Sequence, residues 1–128
     1  MRFRHGTICL PLAMAASLVS GCTGGQATRH YSSATGGYPH RGEKVIAEYR
    51  CGSCHYIPGI RGAHGVFGPP LNALARRTYI AGEFPNNPQN LTRWVMSPRS
   101  MKPKTAMPGL GLSDQQARDV TAYLETLR

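Results

Sequence analysis

The chain has 128 residues, with 15 Lys and Arg against 6 Asp and Glu, which gives a formal net charge of +9. This length suits one modest domain and excludes a multidomain architecture, since domains need on the order of 100 residues. The positive charge favours a negatively charged partner, either nucleic acid or an acidic protein surface.

The N-terminus has the pattern of a secretion signal. Arg2, Arg4 and His5 form a basic head, and an apolar run without charge follows from Ile8 to Val19. That run of about 12 residues is too short to cross a hydrocarbon core of about 30 Å. We therefore expect residues 1–21 to be removed and the domain to work in the periplasm, where a nucleic-acid partner is not expected. Removal of the signal leaves 13 basic against 6 acidic residues, a net charge near +7.

The end of the signal reads Leu18-Val19-Ser20-Gly21-Cys22 and resembles the lipobox of bacterial lipoproteins. In that motif an apolar residue and two small residues precede a cysteine that is acylated. A diacylglycerol plus an amide-linked chain would hold Cys22 stably at a membrane. Ordinary cleavage nearby, which would leave Cys22 as a free thiol or remove it, is the alternative.

The rest of the chain divides into a linker and one domain. Residues 23–39 carry Thr, Gly, Ser and Gln with no periodic apolar residues, which predicts a flexible linker after Cys22. The domain then covers residues 40–128. We predict helices over Gly42 to Arg50, over Asn90 to Met96 after the breaker Pro88, and at the C-terminus.

The C-terminal helix has the clearest sequence signal. Ser113 can cap it and Gln116 can complete a capping box, while Ala117, Val120, Leu124 and Leu127 recur at helical spacing. The remaining segments are rich in Gly and Pro, and none alternates like a strand. The predicted fold class is therefore small and all-α, with long Gly/Pro-rich loops.

The segment Cys51-Gly52-Ser53-Cys54-His55 carries the chemistry. Two thiols about one turn apart can form thioethers to the two vinyl groups of haem, and the adjacent imidazole can bind the iron. This spacing predicts one covalent haem c. A zinc site is the main alternative, but it would need two more ligands at motif spacing. A thioredoxin-like redox pair is the other, but no βαβ pattern surrounds it.

The second axial ligand must come from elsewhere in the domain. The candidates are Met96, Met101, Met107, His40 and His64. We favour Met107, because Pro108 stiffens its loop just before the terminal helix and a thioether ligand raises the reduction potential of the iron. Met101 is the next candidate, and Met96, at a helix end, suits the core better.

These features together resemble a monohaem class I cytochrome c over nearly the whole domain. The resemblance is carried by Gly42 to His55, Gly68-Pro69-Pro70-Leu71, Leu91 to Val95, Met107-Pro108 and Asp119 to Leu124. It implies a fold wrapped around one haem and a carbonyl of Pro69 that accepts from the His55 imidazole. It also implies that Trp94 donates to a haem propionate, although an ordinary core aromatic is nearly as good a reading. Gly42 and Tyr123 are the residues at which the first and last helices should cross, but Gly42 lies nine residues before Cys51 rather than the eight of mitochondrial members.

The resemblance implies an electron carrier rather than an enzyme. A five-coordinate haem sensor or peroxidase-like domain is the alternative if Met107 leaves the iron, and a structural lipoprotein with an incidental motif is a third reading. The expected partner is a membrane respiratory complex, such as a terminal oxidase, with an acidic docking surface. Basic residues near the predicted haem loops would face it, unless they are only solvated surface charges: Arg61, Arg76, Arg77, Lys102 and Lys104. Whether the anchor lies in the inner or the outer membrane is open from the sequence.

Overall fold

The computed structural model describes residues 30–128, so the signal, Cys22 and the first part of the linker lie outside the described residues. Four helices are found there: α1 (Pro39–Glu48), α2 (Pro88–Met96), α3 (Pro98–Met101) and α4 (Asp114–Leu124). Two short strands pair, β1 (Tyr79–Ile80) and β2 (Phe84–Pro85), and 3₁₀ turns cover Cys51–Ser53 and Leu74–Arg76. No helix within residues 30–128 is long and apolar enough to cross a membrane. The mostly helical fold confirms the predicted all-α class.

Prolines begin α1 and α2 rather than ending other elements. Pro39 opens α1 three residues before the predicted start at Gly42, and Pro88 opens α2 instead of breaking the chain before it. Proline suits this position because its φ is already helical and the first amide has no partner within the helix. The side chain of Asn87 caps α2 by accepting from the Asn90 amide at 2.8 Å.

The predicted capping box of α4 is confirmed. The Gln116 amide donates to Ser113 Oγ at 3.2 Å, and the Ser113 amide donates back to Gln116 Oε1 at 2.9 Å. These bonds satisfy two amides that the first turn of a helix leaves free. The helix ends at Leu124, yet Leu127 beyond it is still only 9% exposed.

The expectation that the domain has no strand is wrong at one hairpin. Ile80 pairs with Phe84 across a tight turn in which Ala81 and Gly82 both have positive φ, 51° and 83°. Such turns match the twist of antiparallel strands. The strands were not predicted because two residues each are too few to show an alternating pattern. The short helix α3 was also not predicted.

Helices α1 and α4 make the most extensive contact between elements of the described domain, and α2 also packs on α4. A Cβ on Gly42 would lie 2.0 Å from the Asp119 carbonyl oxygen and 3.0 Å from Tyr123 Cβ. The predicted crossing of Gly42 and Tyr123 is therefore confirmed. The core around it is apolar and is formed mainly by Val45, Ile46, Ile57, Leu91, Val95, Val120, Tyr123 and Leu124.

The end of the predicted linker packs on the domain. The backbone amide of Tyr38 donates to the buried Asp119 carboxylate at 2.7 Å, and a bridge between Ser32 and Gly37 closes a small loop before it. Arg41 reinforces the contact, with its guanidinium 3.0 Å from Asp119 and 4.3 Å from the centre of the Tyr38 ring. We call residues 31–38 the N-terminal arm. The linker, predicted to reach residue 39, is thus shorter at this end, because a buried acceptor holds the arm.

The substitution Gly42→Ala should destabilise the domain by about 1–3 kcal/mol, because its methyl group can fit only if α1 and α4 move apart. Chemical denaturation of the haem-loaded protein measures this change. Gly109→Ala is the control, since a Cβ there meets no atom within 4 Å. Equal stability of the two variants would contradict the close crossing.

Candidate haem-binding site

The haem motif begins where α1 is forced to stop. Arg50 takes the left-handed conformation with φ 54°, and the chain then enters the 3₁₀ turn Cys51–Ser53. A left-handed residue cannot continue a right-handed helix, so the motif leaves α1 in a new direction. The position of Cys51 therefore depends on how α1 is packed.

One turn of backbone brings together the two cysteines and the histidine. The amides of Cys54 and His55 both donate to the carbonyl oxygen of Cys51, at 3.2 and 3.1 Å. Neither cysteine is in a disulfide, and Cys51 is half-buried whereas Cys54 is exposed. Burial raises the pKa of the Cys51 thiol, and the neighbouring Cys54 raises it further against the effect of a local backbone hydrogen bond.

The ring of His55 is oriented by the loop that follows the motif. Its Nδ1 lies 2.8 Å from the carbonyl oxygen of Pro69, which is the contact that the resemblance implies. Because a carbonyl only accepts, Nδ1 carries the proton of this hydrogen bond, and Nε2 is the ring nitrogen that can bind a metal. A Cβ on Gly68 would come within 2.3 Å of His55 Cε1, so only glycine allows the loop to lie against the ring.

Helix α4 holds the segment that directly follows the haem motif, and the Pro69 loop is hydrogen-bonded to that segment. The phenol of Tyr123 donates to the Pro58 carbonyl oxygen at 2.7 Å, and the Leu71 amide donates to the Tyr56 carbonyl oxygen at 2.8 Å. Burial raises the pKa of the Tyr123 phenol, and the charge of Glu43 adds to the effect. A phenol that stays protonated keeps this hydrogen bond at neutral pH.

The methionine candidates lie in the second half of the domain. Met107 is half-buried in the loop before α4, where its amide donates to Thr105 Oγ1 at 3.2 Å. Met101 is the last residue of α3 and Met96 the last of α2, and both are also half-buried. Burial does not distinguish these three, so the choice of Met107 stays a prediction.

The other candidate residues have identifiable neighbours. His64 stacks on Tyr56 with ring centroids 6.1 Å apart, and His40 lies in α1 with its ring against Tyr38. Trp94 packs against Phe84 with ring centroids 6.1 Å apart and is half-buried. This packing suits a core aromatic, and the contact of Trp94 with a propionate stays a prediction.

The residues present fit a covalently bound haem. Two thiols one turn apart and an imidazole held through Nδ1 are the donor set that this group needs. A rim of partly buried apolar side chains borders the core and includes Cys51 itself: Tyr49, Cys51, Leu71, Phe84 and Trp94. No group of three or more His, Cys, Asp or Glu side chains lies together within residues 30–128, so a full zinc ligand set is not found there.

Charge is distributed unevenly along the domain. Between residues 49 and 113, which include the haem motif and all three methionines, Glu83 is the only acidic residue. Eight basic residues lie in the same segment: Arg50, Arg61, Arg76, Arg77, Arg93, Arg99, Lys102 and Lys104. Every other acidic residue belongs to α1, to α4 or to the position just after α4.

Two of these basic residues have structural partners that sequence reasoning missed. Arg77 donates to the carbonyl oxygens of Pro70 and Asn72, which stiffens the loop beside the His55 contact. Lys102 lies 3.4 Å from Glu83 and donates to the Ala81 carbonyl oxygen at 3.1 Å. Neither contact has a local signal in the sequence, because each joins residues brought together only by turns.

The comparisons with known proteins agree with this geometry. The family model described as cytochrome c matches residues 39–128. Similar curated proteins include cytochrome c oxidase subunit 2 of Alkalihalophilus pseudofirmus, 32% identical over 90 residues, which are 70% of this chain and 25% of that protein. Subunit 2 of the Bacillus subtilis oxidase is 32% identical over 101 residues, 76% of this chain and 28% of that protein.

The chain thus spans about a quarter of the length of these relatives. The match covers the motif, the Pro69 loop, the methionine loop and α4 as one continuous unit. Together with the His55 geometry, it shows that this chain belongs to the cytochrome c family and that its domain is a haem-dependent electron carrier.

Proposed function

We propose that this protein is a membrane-tethered carrier of single electrons, with one haem held by Cys51 and Cys54 and its iron bound by His55 and Met107. The observation that carries the proposal is the hydrogen bond from His55 Nδ1 to Pro69 at 2.8 Å. This hydrogen bond uses Nδ1 of the ring and leaves Nε2 available to bind iron. When bound, haem supplies an iron that alternates between the ferrous and ferric states.

The chain's own residues would tune that iron in two ways. The Pro69 carbonyl holds the imidazole in one orientation and makes it a better donor. A thioether from Met107 would complete low-spin iron and raise its potential, which suits a carrier better than a catalyst that must leave a coordination position open. Pro108 restricts the Met107 loop, which supports a fixed ligand.

The charge distribution supports a respiratory complex with an acidic docking surface as the partner. A segment with eight basic residues and one acidic residue surrounds the haem motif and the methionine loop. Long-range attraction of this kind raises the rate of encounter with an acidic partner. The relatives are oxidase subunits by name, and a terminal oxidase is the acceptor that we propose.

The tether that we propose runs from an acylated Cys22 to the N-terminal arm. The arm is held on α4 at Gly36 and Tyr38, and Tyr31 packs on Tyr38, so only eight residues separate Cys22 from the start of the arm. At no more than about 3.6 Å per residue, they span about 30 Å at most. The acceptor must therefore lie close to the same membrane.

Covalent attachment is tested by exchanging the cysteines. The wild-type protein should carry the mass of one haem that acidic acetone does not extract, and Cys51→Ala with Cys54→Ala should lose it, since no thioether can form. Ser53→Ala, an exposed position between them, is the control and should keep the haem. A retained covalent haem in the double variant would refute attachment through these thiols.

Ligation by Met107 is tested in the ferric protein. Methionine-ligated ferric haem has a weak absorption band at the red edge of the visible spectrum, which should vanish in Met107→Ala and persist in Met101→Ala. The reverse result would transfer the ligand to Met101. If the wild-type spectrum shows five-coordinate, high-spin iron, the electron-carrier proposal is wrong and the sensor or peroxidase-like alternative is favoured.

The anchor is tested by cell fractionation. The wild-type protein should sediment with membranes and leave them in detergent, whereas Cys22→Ala should be released or fail to mature, because no acyl chain can be added. Ser20→Ala keeps a small residue in the motif and should behave as wild type. Recovery of the wild-type protein in the soluble periplasmic fraction would contradict the lipid anchor.

A further inference from the structure

Two large apolar side chains next to the haem motif are almost fully exposed. Val66 is 89% exposed and Phe67 93%, more than any other large hydrophobic residue of the described chain. The hydrophobic effect opposes such exposure at two adjacent positions. Val66 and Phe67 are therefore the most exposed large apolar side chains on the described surface, and packing in the core does not account for them.

The backbone on both sides of the pair is held against the motif. The Gly65 amide donates to the Gly52 carbonyl oxygen at 3.0 Å, and the Gly68 amide donates to the Cys54 carbonyl oxygen at 2.8 Å. A Cβ on Gly65 would lie 2.4 Å from the Cys54 carbonyl carbon. Gly65 and Gly68 thus hold the backbone against the motif, and the side chains of Val66 and Phe67 between them are exposed to solvent.

We propose that Val66 and Phe67 form the apolar contact by which this domain docks on its electron acceptor, a protein with an apolar patch bordered by carboxylates. This inference rests on the proposed function and adds the contact surface to it. The residues on both sides of the pair, Gly65 and Gly68, are hydrogen-bonded to the haem-binding turn. Docking here therefore places the acceptor next to the site where the electron leaves.

The charge of the segment that contains the pair specifies what should border the partner's apolar patch. Arg61, Arg76 and Lys104 are exposed and belong to the segment in which Glu83 is the only acid. That acid is already paired with Lys102 at 3.4 Å. The carboxylates around the partner's apolar patch would therefore be attracted by these basic residues. No unpaired acidic residue of this segment would repel them.

The two parts of the surface should respond differently to salt. Attraction between charges is screened, with a Debye length of about 30 Å at 0.01 M salt and about 3 Å at 1 M. Burial of apolar surface is not weakened in this way. The charges should set the salt dependence of the reaction, and the apolar pair should set the rate that remains at high salt.

The test uses the haem-loaded, full-length protein and a purified bacterial cytochrome c oxidase. In each turnover the ferrous iron loses one electron and the acceptor site of the oxidase gains it, with no atom transferred between the proteins. The second-order rate is measured from low to high salt for the wild type, Phe67→Ser, Val66→Ser and Lys104→Glu. Tyr31→Ser is the control, because Tyr31 is 56% exposed on the N-terminal arm.

We expect the wild-type rate to fall with salt towards a plateau. Phe67→Ser should lower the rate about tenfold at every salt concentration, including the plateau, because its contact area is lost, and Val66→Ser should lower it less. Lys104→Glu should lower the rate only at low salt and flatten the salt dependence. Tyr31→Ser should match the wild type, and all variants should keep the wild-type absorption spectrum and midpoint potential.

Several results would overturn the proposal. An unchanged plateau rate in Phe67→Ser would remove the pair from the docking surface. A changed haem spectrum or potential in that variant would assign Phe67 to the haem instead, and a wild-type dimer that Phe67→Ser dissociates would assign the pair to contact between copies. A wild-type protein that the oxidase does not oxidise at any salt would refute the proposed function and, with it, this contact.

Discussion

The close crossing of α1 and α4 at Gly42 is the constraint on which the rest of the domain depends. No side chain separates the helices there, since a Cβ would lie 2.0 Å from the Asp119 carbonyl oxygen. The crossing sets the direction in which α1 delivers the chain to Cys51. It also places Tyr123 where its phenol reaches the Pro58 carbonyl oxygen at 2.7 Å. The close contact at Gly42 therefore positions both the chain that enters the haem motif and the segment that follows it.

Asp119 extends this crossing to the N-terminal arm. Its carboxylate is buried, with 4% of the residue exposed, and it accepts from the Tyr38 amide, the Arg41 guanidinium and the Gln115 side chain. A buried carboxylate is tolerable only when it is paired and hydrogen-bonded, and here both conditions are met. The same bonds determine where the N-terminal arm meets the domain. The arm and the haem motif are thus held by one helix pair.

Acidic residues of the described chain, apart from Glu83, are confined to one helix pair and the position just after it. Acidic residues occur on or just after the helices that form the crossing, whereas the loops around the haem motif are basic apart from one paired glutamate. The fold keeps α1 and α4 together, so the acids are grouped on one helix pair and leave the electron-transfer loops positive. The exposed pair of Val66 and Phe67 adds an apolar component to these loops. In the docking that we propose, different residues would therefore supply the long-range attraction and the short-range contact.

The sequence by itself determined the chemistry and the main helices. The spacing of Cys51, Cys54 and His55 acts within one turn, and the capping box of Ser113 and Gln116 acts within four residues, so both are independent of the rest of the fold. The crossing of Gly42 with Tyr123 was also predicted, but through the family resemblance rather than through a local pattern.

Only the tertiary structure decided which distant groups meet. The sequence indicated that Lys102 faces the docking partner and that the linker extends to residue 39, whereas the folded chain pairs Lys102 with Glu83 and holds Tyr38 on Asp119. The exposure of Phe67 is of the same kind, because no local pattern in the sequence shows whether this apolar side chain is buried or exposed. Periodicity and capping report interactions within a few residues. Contacts between residues about 20 or 80 positions apart arise only when the packed core has fixed the path of the backbone.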